Sequence, residues 1–234
     1  MVATNCHKTR IKGLAVKPGI HRLVVNGRTD SRLMEIRIDT LSGRDAYQLM
    51  SQIIVPRPIA WVSTVSSAGF NNLAPFSFFQ GVTSRPPTLL FVPVNDREGR
   101  KKDTILNIES VPEFVVNIAD PSMATLVDKT ATPLPSTKSE FNEFRIETEP
   151  SSLIRPPRVK EAPISMECTL DQIVKIGSGP YGANVVFGKI QIIHVNQRLI
   201  NDEGMIDLKS FQPLARIGDH YGSVTELSSL IEHP

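Results

Sequence analysis

Two groups of side chains in this 234-residue sequence have types and spacings that chemistry can use, and a third lies near the C-terminus. The stretch Pro56 to Phe79, PRPIAWVSTVSSAGFNNLAPFSFF, gathers Ser63, Thr64, Asn72 and Ser77 around two short apolar runs and the chain's only tryptophan, Trp61. Hydroxyls and amides collected at the ends of two adjacent strands point to something polar held there. The run Arg100-Lys101-Lys102-Asp103-Thr104 leads into Ile105-Leu106, the start of a helical pattern. A helix N-terminus presents unpaired N–H groups and partial positive charge, so lysines and a threonine hydroxyl beside it make an anion site that suits a phosphate. Each group also has a plainer reading. Ser63, Thr64 and Ser66 satisfy turn backbone near Ala68-Gly69, and the lysines form a solvated charge run before an ordinary helix. The two groups become informative together. The third group holds Arg216, His220 and Tyr221, with His220 beside Asp219.

The elements that must position these residues are mostly strands. Runs at Ile59 to Val65, Asn72 to Phe79, Thr88 to Val94, Glu113 to Ile118, Ser165 to Lys175 and Asn184 to Val195 are separated by turn signals. Six such strands fit a closed antiparallel barrel. Pleating places Ile59, Trp61, Ser63 and Val65 on one face of the first strand and Ala60, Val62, Thr64 and Ser66 on the other. Trp61 follows the alternation of a buried strand and reads as core. Pro75 cannot donate to a ladder, so it marks a bulge or an edge. Short helices are expected at Gly43 to Gln52, Thr104 to Ser110 and Ser122 to Asp128, with Asp103 at the capping position of the second. The Pro-, Ser- and Thr-rich segment Ala131 to Pro163 reads as an excursion over the barrel, or a lid. Gly177 to Gly182 reads as a flexible barrel turn.

Composition bounds the function. The net charge of +2 hides a basic leader: residues 1–33 carry seven Lys or Arg against one acid, Asp30, which leaves the remainder at −4. No basic groove is left for nucleic acid. The leader has three readings, a transit peptide, a basic arm, or sequence upstream of the true start, with the folded domain expected over 34–234. No apolar run approaches the length of a membrane span. Cys6 and Cys168 offer neither a disulfide framework nor a zinc knuckle, which fits a reducing, cytoplasmic compartment. The five histidines show no metal-ligand spacing, and His194 reads as a barrel residue.

In order and spacing, PRPIAWVST, Gly69, NLAPFSFF, Arg85-Pro86-Pro87, Lys102-Asp103-Thr104 with Asn107-Ile108, EFVVNIAD, Glu167 to Leu170, VVFGKIQIIHV and Pro213 to Gly218 with Tyr221 resemble the flavin reductase-like family. The resemblance covers about residues 36–222, and PRPIAWVST is nearest the branch of the nitrilotriacetate monooxygenase reductase component and related flavoprotein oxygenases. It implies a six-stranded Greek-key split barrel that forms a homodimer and holds FMN near the subunit interface. Ser63, Thr64, Asn72 and Ser77 would then line the ribityl chain and phosphate. Ala74, Pro75 and Phe76 would pass the isoalloxazine edge, and Lys102, Asp103 and Thr104 would close the phosphate end, with Arg57 a further phosphate candidate. Arg216, His220 and Tyr221 would touch substrate. The implied activity is NAD(P)H:flavin reductase, with hydride passing from nicotinamide to flavin and onward to free flavin, oxygen or a monooxygenase component. The alternative is a flavin- or ligand-binding split barrel with no hydride transfer of its own.

Overall fold

The computed structural model describes residues 36–224, so the expectations for residues 1–33 lie outside it. The chain divides into two compact units, residues 1–47 and 48–234. In the first, a 3-10 turn spans Ile38–Thr40, and Ser42 takes the Asp45 N–H at 3.1 Å to cap the helix α1, Gly43–Ile53, which from Gln48 onward belongs to the second. The second unit holds everything below. No helix among the described residues is long and apolar enough to cross a membrane.

The fold is mainly β and antiparallel. Its principal sheet has seven strands: β2 (Ala60–Val65), β3 (Asn71–Phe76), β4 (Phe79–Ser84), β5 (Pro87–Phe91), β6 (Glu113–Ile118), β9 (Ile164–Ile176) and β10 (Ala183–Val195), ordered β3-β2-β6-β9-β10-β5-β4. A ribbon joins β1 (Arg57–Pro58), β11 (Ala215–Ile217) and β12 (His220–Gly222), and the two-residue strands β7 (Thr148–Glu149) and β8 (Arg158–Val159) pair with each other. The edge strands of the large sheet, β3 and β4, are consecutive in sequence and only Ser77 and Phe78 separate them. So short a link brings the end of β3 to the start of β4, and the sheet curls into a barrel whose wall stays unpaired between these two strands. The strand expected over Asn72 to Phe79 is therefore one passage of chain that leaves one edge and starts the other. Counted that way, the barrel has six staves.

Other boundaries follow from local chemistry. The fifth strand stops at Phe91, short of the expected Val94, because Pro93 lacks an N–H for the ladder; Val94 keeps only an isolated bridge to Ala183. Pro75 lies on the free edge of β3, which pairs only with β2. Leu73 turns its N–H to that same edge, where it donates to the Glu140 carboxylate at 2.9 Å. A proline two residues on meets no lost partner.

Two cores sit on opposite faces of the wall. The inner one takes Ala60 and Val62 from β2, Leu89 and Phe91 from β5, Phe114 and Val116 from β6, Cys168 from β9 and Val186 from β10. Helix α2 (Asp103–Ser110) plugs it with Ile105 and Ile108, both fully buried. Gly188 belongs here because any Cβ would run into the Phe114 ring. The outer core packs Ile59, Trp61 and Leu73 beneath the excursion, which supplies Phe141 from α4 (Glu140–Glu143), Ile146 and Val159; Val127 comes from α3 (Ala124–Lys129). Trp61 is fully buried there, its Nε1 donating to Thr130 Oγ1 at 2.9 Å. The proline-rich segment is thus a packed cover.

Candidate functional site

The hydroxyls of β2 divide between these faces as the pleat requires. Thr64 points inward beside its cross-strand partner Asn72, whereas Ser63 points outward and donates to the Pro157 carbonyl of the cover. Thr64 Oγ1 accepts from Asn72 Nδ2 at 3.3 Å and from Asn107 Nδ2 at 3.0 Å, and Asn72 Nδ2 also reaches Thr104 Oγ1 at 3.1 Å. Thr64, Thr104 and Asn107 are buried. Four polar side chains from β2, β3 and α2 thus form one junction at the mouth of the barrel, directly beneath the helix start. Asn107 is part of the sequence motif but carries no site role there, although its spacing of three from Thr104 puts both on one helix face.

The helix start departs from expectation in one respect. Lys102, not Asp103, is the N-cap, with extended backbone at φ −68° and ψ 150° and no side-chain capping bond. Asp103 is the first helical residue, because the Lys102 carbonyl already accepts the Ile105 N–H at 2.9 Å. With no side chain on them, the first N–H groups of α2 remain available to a ligand. Lys102 is exposed beside them, while Lys101 pairs with Glu109 at 2.5 Å.

At the far end of β3 lie Ala74, Phe76 and Ser77, all half-buried. Phe76 packs on Phe91 with ring centres 5.3 Å apart. Arg57 is 3% exposed; its Nε donates to Ser77 Oγ at 3.2 Å, and its other nitrogens reach the carbonyls of Ser51, Ile54 and Gly218. Its guanidinium also stands 5.9 Å from the Phe78 ring centre. These bonds make Arg57 a clamp between the strand crossing and the ribbon. In the ribbon, the Arg216 guanidinium lies 4.5 Å over the Tyr221 ring, Tyr221 donates to Asp128 at 3.2 Å, and His220 is exposed. Burial, with Asp128 against its oxygen, pushes the Tyr221 phenol up.

Two groups outside this line escaped sequence reading. Asn117 donates to the Trp61 carbonyl at 3.0 Å and accepts from the Val159 N–H and Ser165 hydroxyl, both at 2.9 Å, tying β8 to the barrel. Glu167 is fully buried and accepts the N–H groups of Ser152 and Leu153 at 2.6 and 2.8 Å, with His194 Nε2 2.7 Å away. Burial alone would raise its acid, but these donors outweigh it and hold the carboxyl below the usual range.

The model of the flavin reductase like domain matches residues 50–225, most of the chain. The chain belongs to the flavin reductase-like family. Its relatives include the uncharacterized Bacillus subtilis protein YwrF, 36% identical over 197 residues, a match that covers 82% of this chain and 96% of that one. Among solved structures, nitrilotriacetate monooxygenase component B from Bacillus cereus superposes with a TM-score of 0.79 at 32% identity, covering 85% of this chain and 98% of that one. The 2-nitrobenzoate 2-nitroreductase NbaA of Pseudomonas fluorescens gives 0.76 at 29% identity, over 86% and 96%. Along β3, hydroxyls and a helix terminus stand at one end, and the half-buried Ala74 to Ser77 backbone stands at the other.

Proposed function

We propose that this protein binds FMN along β3 and works as an NAD(P)H:flavin reductase. The observation that carries the reading is the Thr64–Asn72–Thr104 junction under the open N-terminus of α2. In this reading Lys102, Thr104 and the first N–H groups of α2 hold the phosphate. The Asn72 amide and Thr64 hydroxyl fix the helix start against the strand, and Ala74 to Ser77 border the ring system. Arg57 and Ser63 act from behind, bracing the strand crossing and the cover. Bound flavin supplies hydride acceptance from nicotinamide and onward electron transfer. The chain's part is to seat the phosphate, orient the ring with one face open to a second planar ring, and keep water off the inner face with Phe76 and Phe91. Arg216, His220 and Tyr221 border the site from the ribbon, on the side of the Ser77 end that Arg57 clamps.

We place the protein as a homodimer in the cytoplasm. The apolar Val174 and Ile176, two apart on one face of β9 and both exposed, support self-association. A separate monooxygenase component is the proposed electron acceptor, by likeness to a protein that is itself component B of such a system.

Titration with FMN and riboflavin, followed by anaerobic mixing with NADH and with NADPH, tests the reading. FMN binding above riboflavin, and bleaching of bound FMN by either nicotinamide, is the expected result. Yellow protein that neither nicotinamide bleaches establishes the alternative, flavin binding without hydride transfer. Failure to bind any flavin overturns both.

A further inference from the structure

A buried carboxylate beside the proposed phosphate seat has no part in the reading so far. Glu140, at the head of α4, is 6% exposed and takes the Leu73 N–H at 2.9 Å. Leu73 follows Asn72, whose amide holds Thr104 at 3.1 Å, so Glu140 stands a short chain of bonds away from the first turn of α2. The Asp103 carboxylate at the head of α2 acts on it through space. Strand β3, against which α4 packs, has no titratable residue from Asn71 to Phe76, and α4 itself adds only the exposed Glu143. Lys102, before α2, and Lys138, two residues before Glu140, are exposed to solvent. Asp103 at the head of α2 and Glu140, joined to that helix start through Leu73 and Asn72, are thus the two acids a phosphate dianion docked there would act on, and like charges brought together favour the protonated form of one of them.

We propose that Glu140 takes up a proton when the phosphate of FMN docks at Lys102 and Thr104, so that Glu140 sets how strongly the site separates phosphorylated from unphosphorylated flavin. This rests on the FMN reading above. Glu140 is the acid that yields, because burial already raises its carboxyl and Asp103 adds to that, while the Leu73 N–H opposes. Once protonated, its carbonyl oxygen still accepts from Leu73, and the cover stays in place. The proton comes from solvent.

The test is calorimetric titration of the full chain with FMN and with riboflavin at about pH 7.5, where free FMN phosphate is largely dianionic, in buffers of differing ionisation enthalpy. Wild type should take up part of a proton, up to a whole one, per FMN and none with riboflavin. Glu140→Gln should abolish the uptake and raise the FMN-to-riboflavin affinity ratio severalfold. Equal uptake in both proteins, or none in wild type while FMN binds, overturns the proposal and leaves the FMN reading intact. No FMN binding by wild type overturns both. Should Glu140→Gln not fold, Asp103→Asn gives the second measurement: reduced uptake supports the proposal and unchanged uptake refutes it.

Discussion

Asn72 and Thr104, 32 positions apart, meet at 3.1 Å, and that contact fastens the edge strand of the barrel to the helix that plugs it. Removing the amide takes the donor from the buried Thr104 hydroxyl and leaves Thr64 with Asn107 alone. Asn72→Ala should cost about 1–2 kcal/mol of stability and weaken FMN binding about tenfold. Ser63→Ala, on the opposite face, should cost about 1 kcal/mol by orphaning the Pro157 carbonyl and leave FMN affinity unchanged. Fluorescence titration beside urea unfolding separates the two effects. Equal losses of affinity would sink the assignment of faces.

Lys102 is exposed, so its attraction for a phosphate is screened. Lys102→Ala should lower the FMN-to-riboflavin affinity ratio about two- to fivefold at low salt, and less at high salt. A ratio that does not move at any ionic strength would place the phosphate away from α2.

Gly188→Ala should be among the most damaging single-methyl changes in the barrel, since the added carbon lands on the fully buried Phe114 ring. Overpacking of this kind costs about 2–3 kcal/mol. The urea midpoint should fall without a change in slope. A neutral result would mean the Phe114 ring has room to move aside.

Thr130→Val keeps shape but strips Trp61 Nε1 of its acceptor in the outer core. The expected loss is about 1–3 kcal/mol, with flavin affinity retained. Unfolding can be followed through the emission of this single tryptophan.

Glu167 gives a pH-dependent prediction whose sign follows from its lowered carboxyl. The folded state holds the proton less readily than the unfolded chain, so the stabilisation is full above the ordinary carboxylate range and is lost as pH falls through the lower folded value. Glu167→Gln must set an amide N–H against one of the Ser152 and Leu153 donors, which should cost about 2 kcal/mol near neutrality. The gap between wild type and variant should close below about pH 4. A gap that stays constant into acid would show that the carboxylate charge carries none of it.

Strand and barrel were legible because alternation and turn residues are local signals. The pleat alone already placed Ser63 and Thr64 on opposite faces, and the structure makes that division decide their partners. What the sequence concealed is long-range. Nothing near Ser77 or Phe78 announces that the chain changes edges there, because an edge is a property of the whole sheet. The Glu140 and Glu167 carboxylates sit among polar residues or on a strand whose neighbours give no sign of burial, and their donors come from backbone amides far along the chain. Arg57 looked like an anion ligand because an arginine's partners cannot be read from its type, and here it bonds the Ser51, Ile54 and Gly218 carbonyls and the Ser77 hydroxyl, brought together from three separate segments.

The two-residue crossing at Ser77 and Phe78 has a dynamic consequence. The barrel wall is laced by ladders all the way round except between β3 and β4, which pair with β2 and β5 but not with each other. At the head of that seam the Arg57 guanidinium bonds Ser77 and stands near Phe78, the two residues of the crossing. Breathing of the wall begins where lacing is thinnest, so amides of β3 should exchange with solvent well before those of the long β9–β10 pair. A flavin lying along Ala74 to Ser77 would rest on the seam itself. Its slow release and the slow opening of the barrel would then be two views of one motion.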